Sequence, residues 1–286
     1  MNIIDDFKLQ YRTGGIAQQL IFWNVGIAIV LFILEKLAQG FFWSIISNLN
    51  LSSEPSQFLF KPWTFITYAF VHANFWHLVF NMIVLNFSSR LFLTYFTQKQ
   101  FFGLYILGGI FAGLVFVLSY LILKDVSGLV GASGAIMAIL MAAATFSPLS
   151  EVRLLLIGNV KLWHIAAVIL VLDLIQIPVS NTGGHLAHLG GALFGFIYIK
   201  LLQNRTDLSK IVSNILDYFV TLFRPKKSTP FKKVHRNDTF SKQSQPKPQK
   251  DFTQKQIDEI LDKISKSGYD SLTKEEKEFL FKVGKH

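Results

Sequence analysis

Long apolar runs broken by short polar stretches fill the first two-thirds of the chain. A helix that crosses the hydrocarbon core needs about 20 mostly apolar residues at about 1.5 Å each. Five runs meet that length, at 17–38, 75–96, 101–123, 160–178 and 185–203. A sixth, 131–147, has 17 residues and reaches only about 25 Å. For it to reach the far side, residues 124–130 must dip into the membrane. Irregular backbone survives at that depth only where protein surrounds it or water fills a cavity. The start of the short helix is therefore expected to border a buried polar site. Asp5, Asp6, Lys8 and Arg12 give the first run mixed-charge flanks, and no small-residue cleavage site ends it, so it reads as a span rather than a cleaved leader. The pattern predicts an all-α polytopic membrane protein, with a bundle of six transmembrane helices over 17–203, the fourth of them short, after an N-terminal segment at 1–16.

The pattern changes beyond 203. Leu208, Val212, Ile215, Leu216, Phe219 and Phe223 recur at helical spacing, as in a helix lying on a leaflet surface, and 204–223 reads as an interfacial amphipathic helix. Residues 224–251 are rich in Lys, Pro, Gln and Ser and read as a disordered basic linker. From 252 to 286 a small helical hairpin is expected. Thr253 with Gln256 and Thr273 with Glu276 have capping-box spacing, and Gly268 suits a helix end.

Composition sharpens this picture. Hydrophobic residues make up 51% and charged residues 16%, against about 25% charged in an ordinary soluble domain. The net charge of +10 sits mostly in the tail: 9 basic against 7 acidic residues precede Lys200, and 19 against 11 follow from there. Six crossings put both termini on one side. Arg90, Lys99, Arg153, Lys161 and the basic tail make that side cytoplasmic, in the cell's inner membrane. The Lys-rich linker suits anionic membrane lipids. No nucleic-acid partner is expected, because aromatic residues do not interleave with the basic ones. Oligomeric state leaves no mark on the sequence. The absence of cysteine excludes a cysteine nucleophile, thiolate metal sites and disulfides. Repeated halves or charges along a pathway, expected of a transporter, are not evident.

Polar groups inside a bilayer are costly and are functional candidates by default. The second run carries His77 and Asn81, four apart and so on one helix face. The short helix opens with Gly131-Ala132-Ser133-Gly134, and the last run carries His185 and His188. All lie near the start of their helices, at one depth in the outer half of the membrane. Gly131, Ala135, Ala138 and Ala142 form a small-residue strip that can face Gly184, His188, Gly191, Ala192 and Gly195, letting two backbones approach closely. That approach can bring the Ser133 hydroxyl to a His188 nitrogen, as nucleophile and base. Free amides at the helix start suit an oxyanion, and His77 and Asn81 can add donors. The blander readings are a serine that packs and histidines that bond neighbouring helices. A metal reading of His72, His77, His185 and His188 lacks a His-Glu-x-x-His pattern and a nearby carboxylate, so neither a metal nor another cofactor is expected. Asp173, the only membrane carboxylate in the back half, can be a third catalytic member or a partner for a loop. The structural role is the favoured reading.

His77-x-x-x-Asn81, Gly131-Ala132-Ser133-Gly134 and Ala187-His188-Leu189-Gly190-Gly191, in this order on the second, fourth and sixth helices, resemble the rhomboid family of intramembrane serine proteases over about 15–203. The resemblance implies Ser133 as nucleophile and His188 as general base of a dyad without a catalytic acid. It implies an oxyanion site of His77, Asn81 and the Ser133 amide, and transmembrane segments of other membrane proteins as substrates. It selects His188 over His185 because His188 directly precedes Leu-Gly-Gly. Two positions depart from the family pattern: Trp63-Thr64 stands where many members have Trp-Arg, and Met137 stands where many have an aromatic residue against the base. The tail resembles a cytoplasmic accessory module of some bacterial members. The alternative is a non-catalytic protein of the same fold that escorts client helices, which would not need the serine, histidine and oxyanion donors together.

Overall fold

A computed structural model describes residues 2–124, 126–154, 157–223 and 250–283. The chain divides into two compact units, 1–225 and 226–286. In the first, α1 (Ile3–Thr13), α2 (Gly15–Leu37) and α3 (Gln39–Leu49) lead to two single-turn helices, α4 (Pro55–Phe58) and α5 (Thr64–Thr67). Then come α6 (Phe75–Leu93), α7 (Gln98–Leu123), α8 (Ser133–Phe146), α9 (Leu162–Gln176), α10 (Thr182–Gln203) and α11 (Ser209–Phe223). The six expected runs correspond to α2 and to α6 through α10, with ends moved by a few residues. Local capping explains two of the starts. The Asn74 side chain accepts from the His77 amide at the head of α6. Thr97 and Gln100 form a reciprocal capping box that starts α7 three residues before its apolar run.

The protein is an all-α polytopic membrane protein. Helix α2, the Gln98–Tyr120 part of α7, and α10 are each long and apolar enough to cross a membrane, and Thr64–Phe70 with Phe75–Leu93 form a pair bent by 99°. Helices α8 and α9 are shorter, with 14 and 15 residues. At 14 residues, α8 measures only about 21 Å. It lies at the centre, packed by α6, α7, α9 and α10, and nearly every residue from Gly134 to Ala144 is buried. An apolar helix enclosed on all sides is held by its neighbours, so its length need not match the bilayer.

Small residues permit that enclosure. A Cβ on Gly191 would strike the carbonyl oxygen of Gly134, and one on Gly195 would strike that of Ala138. The expected α8–α10 approach is present, but its register differs from the predicted strip. The carbonyls of Gly134 and Ala138 meet Gly191 and Gly195 of α10, while Ala138 also lies against Gly108, Gly134 against Ala112 and Ala135 against Gly109 of α7; Gly131 lies against His77, and Gly184 against the Asn181 side chain. Helix α8 needs small residues on several faces, so sequence spacing alone did not select the face that meets α10.

Two short ladders, which the apolar pattern did not signal, add to the helices. Strands β1 (Leu51–Ser52) and β2 (Gly128–Leu129) pair antiparallel, as do β3 (Glu151–Leu154) and β4 (Gly158–Lys161). The first ladder shows how the segment before α8 is accommodated. Leu51 and Leu129 are buried. The Ser53 amide donates to Ser127 O and the Ser127 amide to Ser53 Oγ, both at 3.0 Å. The Gly131 amide donates to Tyr68 O, also at 3.0 Å. Irregular backbone at the head of α8 is thus satisfied by protein, as an apolar setting demands.

The loop with the Trp63-Thr64 departure is anchored by other means. Lys61 Nζ, Trp63 Nε1 and Thr67 Oγ1 donate to the carbonyls of Ser47, Asn48 and Leu49 at 2.7, 2.8 and 2.8 Å. These are terminal carbonyls of α3, which lack partners within their own helix, and a lysine cation there complements the helix dipole. Thr64 is buried and donates to Lys61 O at 2.6 Å.

Helix α11 fits the expected amphipathic segment, beginning at Ser209 rather than within 204–208. Ser209 packs against Gly103 of α7, while Ile211, Ile215, Phe219 and Leu222 stay exposed. Burial alone would raise the Asp207 carboxyl, but donors from Ser209, Gln100 and Tyr198 outweigh it and hold its pKa below the ordinary carboxylate range.

In the second unit, α12 (Lys250–Ser267) and α13 (Lys274–Val283) form the expected hairpin. The linker positions 224–249 lie outside the described residues. Helix α12 already runs through Thr253, so that residue is in the first turns rather than at the cap. Gly268 turns the chain with φ +79°, a left-handed-side conformation that glycine adopts without strain. The Thr273 box is complete: the Thr273 amide donates to Glu276 Oε2 at 2.8 Å and the Glu276 amide to Thr273 Oγ1 at 3.3 Å. Lys263 Nζ donates to both Glu276 oxygens, at 2.9 and 3.0 Å.

Candidate active site

Ser133 is the first residue of α8, where backbone amides have no acceptor within the helix. The Ile136 amide reaches back to Ala132 O at 3.0 Å, which leaves the earlier amides, including that of Ser133, available to an anion. Gly131 turns the chain into this helix at φ +113°. A Cβ there would lie 2.7 Å from His77 Cε1 and Nε2 and 3.7 Å from Ser133 Oγ, so glycine lets the imidazole edge of His77 stand beside the serine.

Helix α10 supplies the other partner. His188 Nε2 lies 2.7 Å from Ser133 Oγ. His188 Nδ1 lies 2.9 Å from Asp173 Oδ1 of α9. His185 Nδ1 lies 2.7 Å from the same oxygen. An ionised carboxylate only accepts, so each Nδ1 carries a proton and His188 Nε2 accepts from the serine hydroxyl. Of the two histidines, His188 is the one on Ser133, as the Leu-Gly-Gly position implied. Asp173 is buried and bonds His185 and His188 of α10 rather than a loop. Nothing in the local sequence of α9 points to α10, because the contact depends on how the two helices are rotated.

His77 and Asn81 flank this line on α6. His77 Nδ1 accepts from the Ala73 amide at 3.3 Å, so its proton sits on Nε2, the nitrogen beside Gly131. Asn81 Nδ2 donates to His77 O at 2.7 Å, which leaves one further N–H on that nitrogen. Asn81, Ser133, Met137, Asp173, His185 and His188 all border one cavity of about 380 Å³, whose other walls include Phe80, Ile169 and Leu172. Met137 therefore shares the cavity with His188, where the family pattern often has an aromatic ring. His72 stands ring to ring with His77 at 5.3 Å, and neither is among the cavity's walls. The four histidines of the metal reading do not assemble as one ligand set. The ligand atoms of Asp173, His185 and His188 do lie within 4.8 Å of one another, so these three are the described residues able to hold an ion.

Fold and site together define a polytopic helical membrane protein with a hydrogen-bonded serine and imidazole on adjacent helices. Residues 59–205 match the family model described as Rhomboid domain, and the chain belongs to the rhomboid family. Residues 246–286 match a second model, described as a family of unknown function (DUF6576). The chain is similar to Presenilin-associated rhomboid-like protein A, mitochondrial, of Danio rerio, with 33% identity over 138 residues, covering 46% of this chain and 35% of the relative. It is 29% identical over 169 residues to Presenilin-associated rhomboid-like protein, mitochondrial, of Homo sapiens, covering 56% and 44% of the two chains. The Mus musculus protein of the same name is 30% identical over 169 residues. The chain spans less than half the length of these relatives.

Proposed function

We propose that this protein is an intramembrane serine endopeptidase that cuts a peptide bond within or beside the transmembrane segment of another membrane protein. The observation that carries the reading is the 2.7 Å contact between Ser133 Oγ and His188 Nε2 at the wall of an open cavity. In the proposed reaction Ser133 Oγ bonds to the scissile carbonyl carbon as its proton passes to His188 Nε2. The tetrahedral oxygen is held by the Ser133 amide, the remaining Asn81 N–H and His77 Nε2–H. His188 returns the proton to the leaving amine, and water then releases the acyl group by the reverse sequence. A helical substrate must unwind to present its carbonyl, so segments weakened by Gly or Pro are preferred. By the family resemblance, a small residue precedes the cut.

In this reading both termini lie in the cytoplasm, the protein sits in the cell's inner membrane and α11 rests on the cytoplasmic leaflet; the excess of basic residues in the tail supports that orientation. The names of the relatives just described place those proteins in mitochondria. The deciding experiment incubates the reconstituted protein with a model transmembrane substrate. Wild type cleaves and reacts with a fluorophosphonate at Ser133, and Ser133→Ala does neither. Cleavage that survives Ser133→Ala removes the serine mechanism. A wild type that binds the substrate without cutting it leaves the escort reading.

A further inference from the structure

The dyad implied by the family resemblance leaves the far side of the base histidine without an acid. In this structure that side is occupied. Asp173 comes from α9, is buried, and sets Oδ1 at 2.9 Å from His188 Nδ1. The opposite nitrogen of the same ring is at 2.7 Å from Ser133 Oγ. Carboxylate, imidazole and hydroxyl thus form an unbroken line across three helices. His185 Nδ1 also bonds Oδ1, at 2.7 Å, while Oδ2 is buried with no partner among the described residues. A carboxylate turned only toward two imidazoles on α10 does more than join α9 to α10, because one of those rings is the base itself.

We propose that Asp173 is the positioning residue of a Ser133–His188–Asp173 triad: its carboxylate holds His188 as the Nδ1-protonated tautomer and stabilises the imidazolium formed when Ser133 attacks. This inference rests on the serine mechanism proposed above. The proton balance is closed by that mechanism. The Ser133 proton goes to His188 Nε2 and from there to the leaving amine, while Asp173 accepts a hydrogen bond throughout and takes no proton. His185 serves as a second donor that keeps the shared oxygen turned toward α10.

The test uses the full chain in phosphatidylcholine–phosphatidylglycerol vesicles with a model transmembrane substrate. Asp173→Asn keeps the shape but presents an amide that favours the wrong tautomer of His188. In soluble triads the same change lowers kcat by about 10⁴-fold. The expected result here is a kcat loss of at least about 10²-fold, the smaller figure allowing for the oxyanion donors that remain, with KM unchanged. A merely structural staple would instead change KM and stability with kcat, or change nothing. A wild-type kcat in Asp173→Asn overturns the proposal.

A second measurement needs no folded variant. Nitrogen-15 spectra of imidazole-labelled wild type at neutral pH are expected to show His188 protonated at Nδ1. An Nε2-protonated His188 overturns the assignment whatever the variant does. Survival of cleavage in Ser133→Ala would instead overturn the serine mechanism, and the tautomer measurement is independent of that outcome.

Discussion

Replacing Gly191 with alanine tests whether the site depends on the close approach of α8 and α10. The added Cβ would strike the Gly134 carbonyl oxygen and lie 2.9 Å from the carbonyl carbon and 3.3 Å from Cα of the same residue. All three are backbone atoms, which cannot swing aside as a side chain can. Restoring ordinary contact parts the two helices by roughly 1 Å or more, because close-packed interiors transmit such strain. Gly134 adjoins Ser133, and Gly191 lies one turn beyond His188. The separation therefore carries Ser133 Oγ and His188 Nε2 from 2.7 Å to roughly 3.7 Å, beyond hydrogen-bond reach. A misplacement of about 1 Å at a reacting centre costs about 10²-fold in rate, and overpacking costs about 1–3 kcal/mol in stability. The assay is the initial rate of substrate cleavage in vesicles, with fluorophosphonate labelling and thermal stability measured in parallel. Gly26→Ala is the control, because a Cβ there meets nothing within 4 Å and alanine favours a helix by about 1 kcal/mol. It should cut as wild type does. A Gly191→Ala protein that cleaves and labels at the wild-type rate would refute the dependence of the site on this contact.

Two further outcomes follow from the same geometry. Asn81→Ala removes a donor facing the cavity and should lower kcat by about 10²–10³-fold with KM unchanged; a raised KM with kcat unchanged would move Asn81 from transition-state stabilisation to substrate binding. In the tail, the Lys263 ammonium and then the Thr273 amide hold Glu276 below its ordinary value of 4.5. The stabilisation from that carboxylate is therefore fully present above pH 4.5 and is lost as pH falls through the lower folded value. Amide spectra of the tail in the intact protein should show the hairpin loosening on acidification, and Glu276→Gln should abolish that step.

Much of this architecture is legible in the sequence because apolar runs are long and polar residues within them are few. The six runs could be placed to within a few residues, and His77, Asn81, Ser133 and His188 stood out as polar groups that lipid would not tolerate without a purpose. What the runs do not carry is rotation. A helix turned by one residue swings its side chains by about 100°, so the strip on α8 could be recognised as small without showing that the Gly134 carbonyl meets Gly191 of α10. The same limit hid the partners of Asp173, which lie 12 and 15 positions away, across a turn, on a helix whose relative rotation is set by packing rather than by local pattern. The β1–β2 ladder escaped for another reason: two-residue strands have no periodicity to detect, and only the paired structure shows where the backbone bonds of 126–131 go.

The shortness of α8 and the buried ladder before it have one physical origin. A helix exposed to lipid must run from one interface to the other, since its terminal backbone groups need water or polar headgroups. Helix α8 is excused from that rule because α6, α7, α9 and α10 surround it and because Tyr68 accepts from the Gly131 amide, while the Leu51–Ser52 strand pairs with Gly128–Leu129 just before it. Its first turn can then end inside the protein, with unpaired amides beside Ser133 and a cavity at their side. Those amides would be a liability in a helix built only to span. Here they lie next to a serine hydroxyl already bonded to imidazole, which is where charge appears during acyl transfer. The structural cost of stopping a helix short thus falls at the position where free donors are useful, and this ties the hydropathy pattern of the chain to the chemistry proposed for it.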